Sequence, residues 1–321
     1  MQKLPLGKQN FKDIIEGDFI YVDKTNWILQ LLEKDVPYFL SRPRRFGKTL
    51  TVSTLFHLFK GRQELFKDTY IYDKWVFTER PVIRLNMNEV NSSEGNKVLK
   101  NELLRVIKIQ AKINNVDLSE SLYSAAFQEL IGELDNPAVL IDEYDKPILG
   151  NIHKPGYVDQ IRETLKEFYG AIKNKESDLS FIFITGISKF SKMSIFSELN
   201  NLTDLTLRKG YADMLGLSDA EIDKYFRDYI ERVKDDQNMS EDEFWTRLKD
   251  YYNGFSFDGE HFLYNPYSIL NFFDTGEFRN YWFESGTPSH LIELIKNQML
   301  KSTDFSEKRV RMDFTSRRPI E

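Results

Sequence analysis

Over much of the chain, short apolar runs alternate with segments in which apolar residues recur every three or four positions. Short runs bounded by polar residues are typical of strands buried on both faces, and the second spacing is typical of amphipathic helices. This alternation predicts an α/β fold in which helices sandwich a parallel sheet. The predicted strands are Val36–Ser41, Pro81–Asn86, Leu179–Gly186 and Leu202–Leu207, with a further strand inside Pro137–Asp145. The predicted helices are Gly47–Lys60, Leu99–Ile113, Ser121–Leu134 and Ile161–Ile172.

The pattern changes after about residue 212. Two capping boxes, Ser218–Glu221 and Ser240–Glu243, each open a helical pattern, and Asp258-Gly259 is typical of the turn of a β-hairpin. Short helices are predicted near Tyr267–Phe273 and Ser289–Met299. We therefore predict a first domain over residues 1–212 and a smaller, mostly helical domain over 213–302, for which a winged helix is one candidate arrangement. A hinge is expected between Lys209 and Ser218, and a loosely ordered basic tail over 303–321.

A Gly-Lys-Thr tripeptide lies between a predicted strand and a predicted helix. A phosphate-binding loop has this order, because N–H groups at a helix start and the helix dipole attract phosphate oxygens. Lys48 is expected to lie in a solvent-open loop and to reach the β- and γ-phosphates of ATP, while Thr49 places a hydroxyl on Mg²⁺. The predicted nucleotide-binding residues are Arg42, Pro43, Arg44, Arg45, Phe46, Gly47, Lys48, Thr49 and Leu50.

Arg42 stands where the usual pattern G-x-x-x-x-G-K-[ST] has its first glycine. An arginine side chain could take over from the glycine turn, but it lacks the freedom of glycine at positive φ. An unusual loop shape and low nucleotide affinity are therefore expected. Arg44 and Arg45 either contact phosphates or pair with acids across the loop.

A strand that begins near Pro137 runs directly into Asp142 and Glu143. In open α/β sheets, ligands bind at the carboxyl ends of the strands. Asp142 is thus expected to hold Mg²⁺ through a water, and Glu143 to polarise an attacking water. The alternative is that the two acids merely end a strand and are solvated. The Gly-Lys-Thr tripeptide upstream makes this alternative less favoured.

The predicted strand Leu179–Gly186 ends with a hydroxyl residue, Thr185. In NTPases that have an extra strand between the phosphate-loop strand and the acidic strand, a polar residue at this position senses the γ-phosphate. Thr185 is the first candidate for that role and Ser188 the second. An ordinary threonine at the end of a strand is an equally good interpretation.

Composition narrows the function classes. The absence of cysteine excludes disulfides, thiolate zinc sites and a cysteine nucleophile, and the four histidines have no metal-ligand spacing. A net charge of −6 gives no overall basic field for nucleic acid. No apolar run approaches the ~20 residues of a membrane span, and the N-terminus lacks the pattern of a signal peptide. A soluble, cytoplasmic protein without membrane association is expected.

Several stretches, in one order along the chain, resemble the predicted AAA-ATPase family of bacteria and archaea. They are Tyr21–Thr25, Ser41–Thr49, Leu140–Asp145, Thr185–Asn201, Tyr252–Phe257 and Tyr264–Leu270. The resemblance implies a P-loop NTPase fold of the type with an additional strand and a catalytic glutamate, and it makes Arg42 a family trait. Lys48, Glu143 and Thr185 are then the candidate catalytic residues, and Thr49 and Asp142 the candidate metal ligands.

The expected function is ATP binding and Mg²⁺-dependent hydrolysis that drives a switch or motor. A non-hydrolysing P-loop scaffold that binds a protein or DNA is the alternative, and oligomerisation is open. Many family members carry a C-terminal PD-(D/E)XK nuclease-like domain, whereas no lysine here has Asp or Glu two residues before it. We expect no nuclease activity, and either a fragment of a longer protein or a short form that acts through a partner. DNA binding is expected to be weak and confined to the Lys189/Lys192 loop or the basic tail.

Overall fold

The computed structural model describes residues 1–34, 36–187, 195–196 and 201–284. Within them the chain forms one five-stranded sheet in which every pairing is parallel. Its strands are β1 (Tyr38–Ser41), β2 (Val82–Asn86), β3 (Ala138–Asp142), β4 (Phe181–Gly186) and β5 (Thr203–Asp204). The predicted α/β fold with a parallel sheet is therefore confirmed.

The strand order is β2-β3-β4-β1-β5. Strand β4 thus lies between β1, which leads into the Gly-Lys-Thr segment, and β3, which ends in the acids. The register pairs Leu40 with Thr185 and Leu140 with Phe183. The carboxyl ends of β1, β4 and β3 consequently lie side by side, and the additional strand expected from the resemblance is present.

Alternating residues of the strands supply two separate cores, because successive side chains point to opposite faces of a sheet. Val139 and Ile141 belong to one core, and Ala138 and Leu140 to the other. The first core lies against α4 (Asn96–Ile113), α5 (Tyr123–Gly132), α6 (Lys146–Leu149) and α7 (Pro155–Asn174). The second lies against α1 (Phe11–Glu16), α2 (Thr25–Leu32) and α3 (Lys48–Phe59). The sheet is therefore covered by helices on both faces.

A third core belongs to residues 217–284, here termed the C-terminal unit. Leu215 still packs with the sheet, whereas Leu217 packs with this third core, which Ile20 from the N-terminal segment also joins. The unit contains α8 (Asp219–Gln237), α9 (Glu241–Tyr252), an antiparallel pair β6 (Asn253–Phe255) and β7 (Leu263–Tyr264), α10 (Pro266–Thr275) and α11 (Tyr281–Glu284). The mostly helical character predicted for this part is confirmed.

Local signals located the helix starts in the C-terminal unit. Both hydrogen bonds of the capping box form between Ser218 and Glu221 at the start of α8, and the Ser240 side chain accepts a bond from the Glu243 N–H at the start of α9. The predicted helix Ser289–Met299, the tail 303–321 and nearly all of the Lys189/Lys192 loop lie outside the described residues. The domain boundaries at 212 and 302 stay predictions.

Among the described helices, none has both the length and the apolar content that crossing a bilayer requires.

Candidate functional site

The β1–α3 loop, residues 42–47, turns by means of two residues in the left-handed region. Arg45 has φ 69° and Gly47 has φ 92°. Nothing lies within 4 Å of where a Cβ of Gly47 would stand, so its backbone conformation, and not lack of space, favours glycine there. Helix α3 begins at the next residue, Lys48, and its first N–H groups have no partner within the helix. The loop thus ends at a helix N-terminus with open space beside it.

Lys48 is buried, with only 7% of its surface exposed, so the expectation that it lies in a solvent-open loop is wrong. Its Nζ donates to the carbonyl oxygens of Arg42 at 2.9 Å and Pro43 at 2.8 Å. The side chain folds back over the loop because these carbonyls and nearby carboxylates compensate for lost solvation. Since an ammonium group carries three N–H donors, one is left for a further acceptor.

The two acids lie where the sequence predicted, at the carboxyl end of β3. Asp142 is its last residue, is 3% exposed and accepts a hydrogen bond from the Glu143 N–H at 3.0 Å. Burial lowers the pKa of Lys48 to about 8, and the negative charges of Asp142, Asp145 and Glu143 oppose this. Burial, followed by the charge of Asp142, raises the pKa of Glu143. The cation and the acids therefore share one electrostatic environment.

Asp145 is a further member of this cluster that the sequence interpretation did not single out. It is fully buried, and its Oδ2 accepts a hydrogen bond from the Ile187 N–H at 3.0 Å. The carboxylate therefore ties the segment after β4 to the turn after β3. The sequence did contain a signal for Asp145, because the residue belongs to Leu140–Asp145, one of the stretches that carry the family resemblance.

Thr185 has no exposed surface, and its Oγ1 donates to the Leu40 carbonyl at 2.9 Å. In this conformation the hydroxyl links β4 to β1. A role in sensing phosphate would require that bond to be exchanged, so the role stays a prediction. The second candidate, Ser188, lies outside the described residues.

The arginines of the β1–α3 loop have different environments. Arg42 is 1% exposed, and its guanidinium donates to main-chain carbonyls in the interior. Its assignment as a nucleotide-binding side chain is therefore not supported by its position. Arg44 and Arg45 are exposed, and the Arg45 guanidinium lies 4.7 Å from the ring centre of Tyr267. Arg45 thus has an aromatic neighbour where a phosphate or an acid was expected.

Aromatic residues of the C-terminal unit pack on the β1–α3 loop. Phe46 is fully buried, with ring centres 4.7 Å from Phe255 and 5.5 Å from Phe257. The Arg44 carbonyl accepts hydrogen bonds from Asn265 Nδ2 at 3.4 Å and Trp282 Nε1 at 3.3 Å. Side chains from the stretches Tyr252–Phe257 and Tyr264–Leu270 therefore contact the β1–α3 loop.

The residues present suit a nucleotide with a hard divalent cation. Thr49, in the first turn of α3, is partly exposed and carries a hydroxyl, and Asp142 supplies a carboxylate. Oxygen ligands of this kind are those that Mg²⁺ prefers. The α3 N-terminus and the remaining N–H of Lys48 would bind phosphate oxygens.

Comparison with known sequences agrees with this geometry. The sequence pattern of the family described as Predicted AAA-ATPase matches residues 5–196. A protein of Azotobacter chroococcum mcd 1, described as "Uncharacterized protein in vnfD 5'region", is 37% identical over 301 residues. The alignment covers 92% of this chain and 56% of that protein, so the chain spans just over half of the relative's length. The resemblance inferred from the motifs is confirmed, and the chain belongs to the AAA-ATPase-like family.

Proposed function

We propose that this chain binds ATP with Mg²⁺ at the β1–α3 loop and the start of α3, and that it hydrolyses ATP to drive a conformational switch. One observation carries the proposal. Lys48, at the start of α3, lies near enough to Asp142 and Glu143, at the end of β3, for their charges to affect its pKa. In sheets of this kind the carboxyl edge is where ligands bind.

Each residue has a chemical task in this proposal. Lys48 and the first N–H groups of α3 bind the phosphates, and Thr49 and Asp142 hold the metal. Bound Mg²⁺ supplies charge neutralisation on the phosphoryl oxygens. Glu143 accepts a proton from the attacking water and orients it. The raised pKa of Glu143 makes it a stronger base than an exposed glutamate, provided that the pH stays above that pKa.

The switch is supported by the contacts between the β1–α3 loop and the C-terminal unit. Phe46 is enclosed by Phe255 and Phe257, so a change in the loop on nucleotide binding would alter the packing of β6 and its neighbours. Interfaces packed in this way respond by discrete rearrangement more readily than by gradual deformation.

A non-hydrolysing scaffold is the competing function, and the two carbonyl bonds of Lys48 are the observation in its favour, because they occupy two of the three N–H donors of the amine within the loop. The test combines calorimetric ATP binding, with Mg²⁺ or with EDTA, and phosphate release. We expect Glu143→Gln to retain ATP and to slow its turnover by about 10²–10⁴-fold. ATP binding without turnover, or no ATP binding at all, in the wild type would favour the scaffold and overturn the proposed hydrolysis.

A further inference from the structure

Arg42, which replaces the first glycine of the usual phosphate-loop pattern, has the largest side chain among the fully buried ones of the described chain. A glycine is normally placed there for its access to positive φ. Here the left-handed positions of the loop are Arg45 and Gly47, and Arg42 is not among the residues with positive φ. The chain therefore has no need of glycine at position 42, and the turn is made farther along the loop.

The Arg42 guanidinium joins separate segments of the chain. Nη1 donates to the carbonyls of Ser41 at 3.0 Å and Thr206 at 2.7 Å, and Nη2 donates to the carbonyl of Tyr211 at 3.1 Å. The Ser41 N–H also donates to Thr206 Oγ1 at 3.1 Å. The fixed fork of donors on a guanidinium suits several acceptors at once, which an ammonium cannot reproduce. The start of the loop is thereby tied to the segment 205–211.

Nearby groups offset part of the cost of burying this charge. The guanidinium lies 3.9 Å from the ring centre of Phe257, a favourable cation–π distance. Burial lowers the pKa of Arg42, and the charges of Asp204, Asp213 and Asp258 oppose that effect. Because arginine keeps its proton in proteins, the side chain acts as a permanent cation in the interior.

The main chain of Arg42 connects this anchor to the site. Its carbonyl accepts one of the two hydrogen bonds from Lys48 Nζ, and its N–H donates to the Gly186 carbonyl at the end of β4 at 3.3 Å. A shift of residue 42 would therefore move the carbonyl that orients Lys48.

We propose that Arg42 is a positioning residue that replaces the missing glycine: its guanidinium fixes the start of the β1–α3 loop, and through the Arg42 carbonyl it sets the position of Lys48. The inference rests on the proposed ATP site for its readout. The proposal also predicts that Arg42→Gly, which restores the usual phosphate-loop pattern, weakens the use of ATP. An interpretation based on the motif alone predicts that the same change strengthens it.

The experiment measures steady-state ATP turnover in Arg42→Gly, Arg42→Met and Arg42→Lys. Arg42→Met keeps an apolar contact for Phe257 but removes the donors that Thr206 and Tyr211 use. We expect KM for ATP to rise roughly tenfold or more in the Gly and Met variants, since charged hydrogen bonds to buried carbonyls are lost, with kcat within about threefold. Arg42→Lys should fall between them and the wild type.

Arg208→Met is the matched control, because Arg208 lies in the segment 205–211 to which Arg42 is tied, but its side chain is exposed. A merely structural role for Arg42 would lower the active fraction, and hence kcat, and leave KM unchanged. If the Gly and Met variants do not fold, Arg42→Lys and Phe257→Leu decide, with a smaller expected rise in KM. Unchanged KM in the folded variants, beside normal ATP binding by the wild type, would overturn this inference alone. A wild type that binds no ATP would overturn the proposed function as well.

Discussion

Two non-glycine residues at the site lie in the left-handed region, Arg45 at φ 69° and Glu143 at φ 52°. An L-residue in this region costs roughly 1–2 kcal/mol, and such strain is found most often at functional sites. At Glu143 the conformation comes with the hydrogen bond from its N–H to Asp142. The strain therefore lies in the turn that directly follows Asp142 at the end of β3.

A pH dependence follows from the environment of Lys48. Phosphate binding needs the charged amine, and burial lowers its pKa to about 8. As the pH rises from 7 to 10 the amine loses its proton, so ATP affinity should fall roughly tenfold for each pH unit above about 8. Calorimetry or a fluorescent ATP analogue would measure this loss.

Lys48→Arg is the comparison for that measurement, because arginine keeps its charge over the whole range. Its affinity at pH 7 should be lower than that of the wild type, because the guanidinium fits the loop carbonyls differently, but it should depend little on pH. A wild-type affinity that is constant up to pH 10 would contradict the assignment of Lys48 as the phosphate-binding cation.

Residue type and spacing singled out Lys48, Asp142 and Glu143 as candidates, but they could not give the environments of these side chains. The carbonyl partners of Lys48 depend on how the β1–α3 loop folds back, and Arg42 is held by Thr206 and Tyr211, more than 160 residues away. Phe46 likewise has partners that only the tertiary fold supplies. Side chains whose partners are distant in sequence are the part of the site that pattern alone cannot predict.

At the scale of elements, the close approach of β4 to the turn after β3 depends on Gly186. A Cβ there would lie 2.4 Å from the Tyr144 ring and 2.7 Å from Asp145 Oδ1. The Tyr144 N–H also donates to the Thr185 carbonyl at 3.0 Å, which holds the two segments together. Glycine at position 186 therefore permits contact between the turn after β3 and strand β4.

We expect Gly186→Ala to destabilise the protein by about 1–3 kcal/mol, because the methyl group must displace the Tyr144 ring and the Asp145 carboxylate. Urea unfolding would measure the change. Gly210→Ala is the matched control, since nothing lies within 4 Å of its added Cβ, and it should be neutral. Equal free energies of unfolding for the two variants would mean that the turn after β3 shifts to accommodate the methyl group with little loss of stability.

Element boundaries show which local signals were sufficient. Helix α3 spans Lys48–Phe59, close to the predicted Gly47–Lys60, because the glycines on either side are strong signals. Helix α7 begins at Pro155, before the predicted Ile161, with a proline in its first turn where the missing N–H costs nothing. Strand β5 is only Thr203–Asp204, shorter than the predicted Leu202–Leu207, and it lies at the sheet edge, where it pairs with β1 alone.

At the scale of the whole molecule, the N-terminal segment connects the sheet to the C-terminal unit. Lys24 Nζ donates to the Asp213 carbonyl at 2.9 Å and forms an ion pair with Glu221 at 2.5 Å. Asp23 accepts from the Thr25 N–H at 2.8 Å and from the Tyr70 N–H at 2.6 Å, which fixes the same segment to the first part of the chain. Tyr21–Thr25 therefore spans the predicted hinge at 209–218.

This connection predicts that Lys24→Met loosens the hinge. The ion pair is partly shielded, with 14% and 23% of the two side chains exposed, and its loss together with the Asp213 bond should cost about 1 kcal/mol. The population open to cleavage would then rise roughly fivefold. Limited digestion with thermolysin, with cleavage sites identified by mass spectrometry, would measure the rate within 209–218.

Lys12→Met is the matched control, because Lys12 is exposed and its ion pair with Glu16 lies on the surface of α1. We expect cleavage within 209–218 to be faster in Lys24→Met than in Lys12→Met, and cleavage elsewhere to be the same in both. Equal rates within 209–218 would mean that packing of Ile20 in the third core holds the two parts together without Lys24. If ATP also slows cleavage there in the wild type, the segment held by Lys24 through the Asp213 carbonyl responds to the nucleotide site.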